Sequence, residues 1–238
     1  MDDPIVIIGG SHGIGFELVK RLAARGAQIL NVSRTLGDLE ASGLLDQSVQ
    51  HFEADVVTSD FPINPLPEKI GGFVYCPGSI RLGPVNSVKA DRMREEFELN
   101  VVAATKYFQA CLPALKASGH GSAVFYSTVA VNHGIMMHSY VAAAKGALQA
   151  LAKTWAAELA PTVRVNCVAP ALTDTPLAKA FLSSDAKRQA MSEKYPLGRV
   201  GSAADIAAMT EFLLSSESGW ITGQTLGVDG GMSGIVRV

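Results

Sequence analysis

The chemistry-bearing residues of this chain begin at its first turn. Residues 4–8, Pro4-Ile-Val-Ile-Ile8, form an apolar β-branched run that leads into Gly9-Gly-Ser-His-Gly13-Ile-Gly15 and then into a segment of helical period. Glycine is needed where a chain turns sharply, where backbone must approach a pyrophosphate, and where a helix packs closely on a strand. The helix that follows aims unpaired amide hydrogens and the positive end of its dipole at the turn, so a phosphate fits there. Gly9, Ser11, His12, Gly13, Ile14 and Gly15 are therefore candidate ligands of a dinucleotide pyrophosphate, in a G-x-x-x-G-x-G spacing. A plain βα turn is the alternative; the position between a first strand and an amphipathic helix favours the site. The second strand ends Asn31-Val-Ser-Arg34-Thr35, where an NAD site usually has a carboxylate for the ribose hydroxyls. Arginine can pair with a phosphate that a carboxylate would repel. Ser33, Arg34 and His12 thus read as a 2′-phosphate pocket, predicting NADP(H) in preference to NAD(H). The alternative is an Arg34 that is merely solvated.

The elements that must hold these residues follow from periodicity. Short β-branched runs at 4–8, 28–32, 49–54, 72–76, 124–127, 163–168 and 224–228 alternate with helical segments at 13–25, 89–116, 138–160 and 203–215. That alternation predicts an α/β fold: a doubly wound parallel sheet of Rossmann type, about seven strands with helices on both faces. Gly26 ends the first helix. Residues 61–67, with prolines at 62, 65 and 67, cannot form a regular helix, and 175–199 carries no strand signal. No linker or repeat divides the chain, so 1–238 is taken as one dinucleotide-binding domain.

Composition excludes several function classes. The chain has 238 residues, 48% hydrophobic and 18% charged, which suits a well-buried core and not a disordered segment. A net charge of −2 without a basic run argues against nucleic-acid or anionic-membrane partners. No apolar run approaches the roughly 20 residues of a membrane span, and the start, Met1-Asp2-Asp3-Pro4, lacks the pattern of a signal peptide. Cys76, Cys111 and Cys167 show neither a disulfide framework nor metal spacing. A cytoplasmic protein without a metal is the expectation.

On these residues the chain resembles the short-chain dehydrogenase/reductase family, from Ile5 to Gly231. Besides the glycine turn, the matching pieces are Asp55-Val56, Asn100, Lys145-Gly-Ala-Leu148, Arg164-Val-Asn-Cys-Val-Ala-Pro170 with Thr175, and Thr222-Gly-Gln-Thr-Leu-Gly-Val-Asp-Gly-Gly231. The resemblance implies an NAD(P)-dependent oxidoreductase. It implies that Asp55 and Val56 border the adenine and that Pro170, Leu172 and Thr175 flank the nicotinamide carboxamide, with Ala171 where the family commonly has glycine. The usual Asn-Ala-Gly after strand four is here Cys76-Pro77-Gly78; the backbone can still pass close at Gly78, but the asparagine side chain is missing. Thr175 can equally cap the following helix.

The catalytic group departs from the family. The resemblance implies a tyrosine that exchanges a proton with the substrate oxygen, a lysine four residues later that holds the nicotinamide ribose, and a serine about thirteen residues before the tyrosine. Lys145 fits, but Val141 stands four residues before it and Tyr140 five. A step of four turns a helical side chain by about 40°, a step of five by about 140°. Two readings stay open. In one, a π-type bulge brings Tyr140 to Lys145, with Ser127 as the hydroxyl. In the other, Val141 fills the tyrosine position and Thr128 the serine position, as in a divergent bacterial branch that shares Tyr75-Cys-Pro-Gly78 and Val141-Ala-Ala-Ala-Lys145. There His133, His138 or Tyr140 could supply the proton, and Asn100 could hold a water near Lys145.

The resulting expectation is an NADP(H)-dependent oxidoreductase for a small carbonyl or alcohol, with a non-catalytic NADP(H)-binding sensor or subunit partner as the alternative. Residues 176–196 are the expected substrate lid, with Leu177, Phe181, Leu182 and Tyr195 available to cover the ligand. Family members commonly pair through their long helices, so a homodimer or homotetramer is expected, with Val101, Phe108 and Trp155 as apolar outer residues.

Overall fold

A computed structural model of the chain describes residues 3–235; Met1 and Asp2 of the acidic start lie outside them. The elements run β1 (Ile5–Ile8), α1 (Gly13–Ala24), β2 (Ile29–Ser33), β3 (Val49–Glu53), β4 (Gly72–Tyr75), α2 (Ala90–Phe97), α3 (Ala103–Ser118), β5 (Gly121–Tyr126), α4 (Ser139–Leu159), β6 (Val163–Pro170), β7 (Thr173–Asp174), α5 (Asp185–Ser192), β8 (Gly201–Ser202), α6 (Ala203–Leu214) and β9 (Thr225–Val228). Seven strands make one sheet in the order β3-β2-β1-β4-β5-β6-β9, every pairing parallel. Chain order reverses between β1 and β4, and the crevice outside the carboxyl ends of strands at such a switch is where open α/β sheets bind ligands.

Each face of the sheet is sealed by helices, so the inner strands carry apolar residues on both sides. On one face Leu18, Val19 and Leu22 of α1 and Ile206, Leu213 and Leu214 of α6 pack on Ile5, Ile7 and Val124. On the other, α3 and α4 cover Phe73 and Phe125. Phe108 belongs to this second core: it lies 5.5 Å, ring to ring, from both Phe73 and Phe125, with Trp155 at 5.0 Å. It is therefore not an outer residue, and the apolar patch expected for pairing is reduced accordingly. β4 and β5 both present phenylalanine to α3, and Phe108 is drawn into that aromatic cluster.

Elsewhere the differences are local. Gly26 takes φ +79° where the first helix ends. The proline-rich stretch forms neither helix nor strand. The helical run expected over 89–116 is interrupted: between α2 and α3 the turn widens to a π-helix at Glu98–Val102. The segment after Thr175 holds a 3₁₀ helix, Pro176–Leu182, and α5; β7 and β8 form a two-stranded pairing of their own. Among the described residues no helix is long and apolar enough to cross a membrane.

Candidate active site

The glycine turn is built by contacts that admit no side chain. Asn31, buried in β2, accepts the Gly10 amide at 2.8 Å through Oδ1; a Cβ on Gly10 would stand 2.4 Å from that oxygen, and one on Gly15 would stand 2.2 Å from the Gly9 carbonyl. α1 then starts at Gly13 with His12 in the N-cap position, no side-chain cap and no acidic residue in its first turn. Its first amides are consequently left to an external acceptor. A nucleotide pyrophosphate suits these donors in charge, and the glycines leave the backbone open to its close approach.

Around the second strand the assignments separate. Ser33 Oγ is committed within the protein, accepting from Asn31 Nδ2 at 3.1 Å and donating to the Thr35 carbonyl at 3.0 Å. Arg34 is exposed and has neither an ion pair nor a side-chain hydrogen bond among the described residues. His12 reaches the cleft wall, its Nδ1 3.0 Å from Ser11 Oγ. Asp55 turns an oxygen onto the Val57 amide at 2.9 Å, and Val56 is buried in the core. Ser11, Ser33, Arg34, Asp55 and Val56 do not line the cleft itself.

That cleft, about 600 Å³, runs from the glycine turn to the segment after β6. Gly9, Gly13, Ile14 and Gly15 wall one end; Cys76, Gly78, Lys145, Pro170, Leu172 and Thr175 lie along it. Lys145 is 5% exposed, and its Nζ donates to the Pro77 carbonyl at 3.4 Å. Burial pulls its ammonium down to about 8, opposed by nearby Cys167, Cys76 and Glu96. The thiols of Cys76 and Cys167 are pushed up to about 12 by burial, so both are neutral. Thr175 stands in the N-cap position of the 3₁₀ helix but does not cap it; its hydroxyl donates to the Thr173 carbonyl at 3.3 Å.

Of the two readings, the one that needs a π-bulge between Tyr140 and Lys145 does not hold. α4 is regular over both residues, so the five-residue step carries Tyr140 to the far side. There its hydroxyl accepts from the Lys89 amide at 2.7 Å and donates to the Ser87 carbonyl at 3.3 Å. Val141, on the face shared with Lys145, lines the cleft. Ser127 lines the cleft, but its hydroxyl is turned to α4: it accepts from Gln149 Nε2 at 2.6 Å and donates to the Lys145 carbonyl at 3.5 Å. Thr128 stands at the cleft, with Oγ1 also accepting the Ala130 amide at 3.3 Å. Of the histidines, His138 lines the cleft, whereas His133 is held at the Ser233 carbonyl, 3.0 Å away.

The π-turn sits instead at Asn100. The widened turn opens the amide ladder, and Asn100 Nδ2 donates to the Glu96 carbonyl at 2.9 Å. Its Oδ1 is buried with no partner among the described residues. Asn100 Oδ1 and Lys145 Nζ lie 3.4 and 3.2 Å from where a Cβ on Gly78 would stand, so the missing side chain there leaves space between two polar groups. An orphaned acceptor beside an ammonium fits a ligand hydroxyl or a water.

Sequence reasoning missed part of the wall. Ile80, Leu82, Met136, Met191 and Met232 join Leu177, Phe181 and Tyr195 in making the outer cleft apolar, while Leu182 packs behind, in a small cluster with Tyr195 and Val200. Met137, with φ +68°, bends the loop that brings its neighbours in. Ser79, adjoining Gly78, was also missed; its only signal is that adjacency.

Comparison with known proteins agrees with this geometry. Residues 9–233 match the family model described as enoyl-(acyl carrier protein) reductase. A tropinone reductase homolog of Arabidopsis thaliana is 33% identical over 96% of this chain and 78% of its own length. A short-chain dehydrogenase/reductase of Mycobacterium ulcerans superposes with a TM-score of 0.88 at 28% identity, over 98% of this chain and 90% of that one, and levodione reductase with 0.87 at 25% over 99% of both. With the switch-point cleft, the glycine cradle and Lys145 already in place, these matches make the chain an oxidoreductase belonging to the short-chain dehydrogenase/reductase family, whose members bind a nicotinamide cofactor.

Proposed function

We propose that this chain is an NADP(H)-dependent oxidoreductase that interconverts a small carbonyl compound and its alcohol. The observation that carries the reading is one continuous cleft with an anion cradle at one end and a buried lysine, 5% exposed, midway along it. The Gly9–Gly15 turn and the α1 amides hold the pyrophosphate. Arg34, without an ion pair among the described residues and flanking the second strand's end, meets the 2′-phosphate, with His12 beside it; Ser33, its hydrogen given to the Thr35 carbonyl, shapes the turn. Lys145, mostly charged at neutral pH, holds the nicotinamide ribose through its ammonium, and Thr128 donates to the substrate oxygen. When bound, the nicotinamide supplies or accepts the hydride. The apolar outer cleft excludes water and favours a substrate with little charge of its own. The names of the relatives, a tropinone reductase homolog and levodione reductase, are those of reductases and support the class.

Calorimetric titration with NADPH and NADH side by side, followed by a carbonyl panel with NADPH, tests this. The expected result is tighter NADPH binding and consumption of NADPH with at least one carbonyl. Equal or stronger NADH binding rejects the phosphate pocket; binding without turnover of any substrate favours a cofactor-binding subunit or sensor.

A further inference from the structure

The reading above leaves the proton without a source. Reduction of a carbonyl adds a hydride to carbon and a proton to oxygen, and the position four residues before Lys145 is a valine. Most cleft hydroxyls end on neutral groups: Ser127 on Gln149 and the Lys145 carbonyl, Thr128 on the Ala130 amide, Tyr195 on the Leu172 amide. Ser79 differs. It lines the cleft beside Gly78 and donates its hydrogen bond to the carboxyl of Glu96.

Glu96 lies on α2 and is 2% exposed. A buried carboxyl is expensive unless it is paired and hydrogen-bonded. Its Oε2 receives Ser79 Oγ and, at 3.3 Å, Asn100 Nδ2, while Oε1 lies 3.4 Å from Arg81 Nε. Arg81 is shared with Glu95, at 2.8 Å, which also pairs with Arg92 on the exposed side of the helix. From α4 the facing charge is Lys145, whose ammonium Glu96 favours. The π-turn that presents Asn100 therefore also fixes the carboxyl.

We propose that Glu96 is the proton-exchanging group of this active site, reaching substrate through the Ser79 hydroxyl. The inference rests on the oxidoreductase reading above. In alcohol oxidation, the substrate hydroxyl gives its proton to Ser79 Oγ as the Ser79 proton moves to the Glu96 carboxylate, and the hydride leaves carbon for the oxidised nicotinamide. One C–H and one O–H bond break, one C=O forms, and the proton ends on Glu96. Reduction runs the same transfers backwards, from the protonated Glu96 through Ser79 to the substrate oxygen.

The test uses the full chain, with S79A, E96Q and E96D. Infrared difference spectra need no substrate: parent minus E96Q is expected to isolate the Glu96 carboxyl stretch, and S79A to shift it by removing the hydroxyl that donates to it. NADPH affinity, followed by the nucleotide's own fluorescence, stays within a few-fold in S79A. With a carbonyl that the parent reduces, S79A and E96Q are expected to lose roughly 100-fold in rate together with the parent's pH dependence, and E96D to recover part of both. S79A removes one hydroxyl and keeps the test open if E96Q does not fold. An E96Q or S79A pH profile and rate matching the parent overturn the relay, as does a Glu96 band that S79A leaves unmoved. A parent that fails to bind NADPH overturns the oxidoreductase reading itself.

Discussion

Replacing Lys145 by methionine is expected to raise the melting temperature, although it removes a residue at the centre of the site. The ammonium is buried on α4 against neutral thiols and a single carbonyl at 3.4 Å, with the Glu96 carboxyl as the one nearby charge that favours it. Burial lowers its pKa from 10.5 to about 8. At about 1.36 kcal/mol per pKa unit, this is roughly 3 kcal/mol by which the folded state disfavours the charged form. Cleft water and the lost carbonyl contact reduce the net gain of the variant to about 1–3 kcal/mol, or roughly 2–10 °C for a chain of this size. Methionine keeps the length of the stem and adds no desolvation cost.

The pH dependence carries the sign of the argument. Below pH 8 both folded and unfolded lysine are protonated, so the parent's deficit is constant there. Between about 8 and the unfolded value near 10.4, the unfolded chain binds more protons, so the parent's stability rises with pH and its gap to the variant closes. Calorimetric melts of both proteins from neutral to alkaline pH measure this. A variant that melts at or below the parent at pH 7, or a gap that does not narrow on the alkaline side, refutes the claim that Lys145 is held at a cost to stability.

Three further outcomes are expected. Val141→Tyr places a phenol on the cleft face four residues before Lys145 and should raise the carbonyl-reduction rate by at least tenfold, part of the ~10²–10⁴ typical of a positioned acid; NADPH-consumption assays check it. Tyr140→Phe leaves the Lys89 amide without its acceptor and should cost about 1–3 kcal/mol in a denaturant melt, with NADPH binding and turnover unchanged. Arg34→Ala removes a charge-assisted phosphate contact and should weaken NADPH binding by roughly 10–100-fold, with NADH affinity unaffected in the same titration.

The layout of strands and helices was legible because parallel strands buried on both faces show as apolar runs, and the crossover helices show as longer periodic segments. The cradle was legible because Gly10 and Gly15 have no room for a Cβ, so glycine is compulsory there. Motifs given by resemblance turned out to be partly structural: Asn166 Oδ1 receives the Gln224 amide at 3.0 Å and Arg164 ties down the Ser218 carbonyl at 3.1 Å, which stitches β6 to the entry of β9. What stayed hidden depends on geometry that no local pattern encodes. The irregular spacing lies on α4, whereas the π-turn lies at Asn100, where nothing in Glu98-Leu-Asn-Val-Val102 signals it. Phe108 looked like an outer residue because its helix has apolar residues on more than one side. Glu96 looked like one of several glutamates on a polar helix until packing buried it.

These hidden features share one location, and the physics there points to a ligand. Around Gly78 the fold gathers a desolvated ammonium, an amide oxygen without a donor, a carboxyl 2% exposed and a widened helical turn, each unfavourable for folding taken alone. The chain resolves them only in part: Asn100 gives both its contacts through Nδ2 to Glu96, while its Oδ1 has no partner among the described residues. A molecule offering hydroxyl donors beside Lys145 would satisfy that oxygen and share the ammonium, so occupancy of the cleft should return part of the cost. Stabilisation by bound nucleotide grows with the logarithm of its concentration over Kd. Asn100→Ala removes the orphan together with both Nδ2 contacts to Glu96, so it should bind NADPH more weakly and gain less melting temperature from NADPH than the parent does. If both states of that variant shift equally, the orphan oxygen faces no ligand.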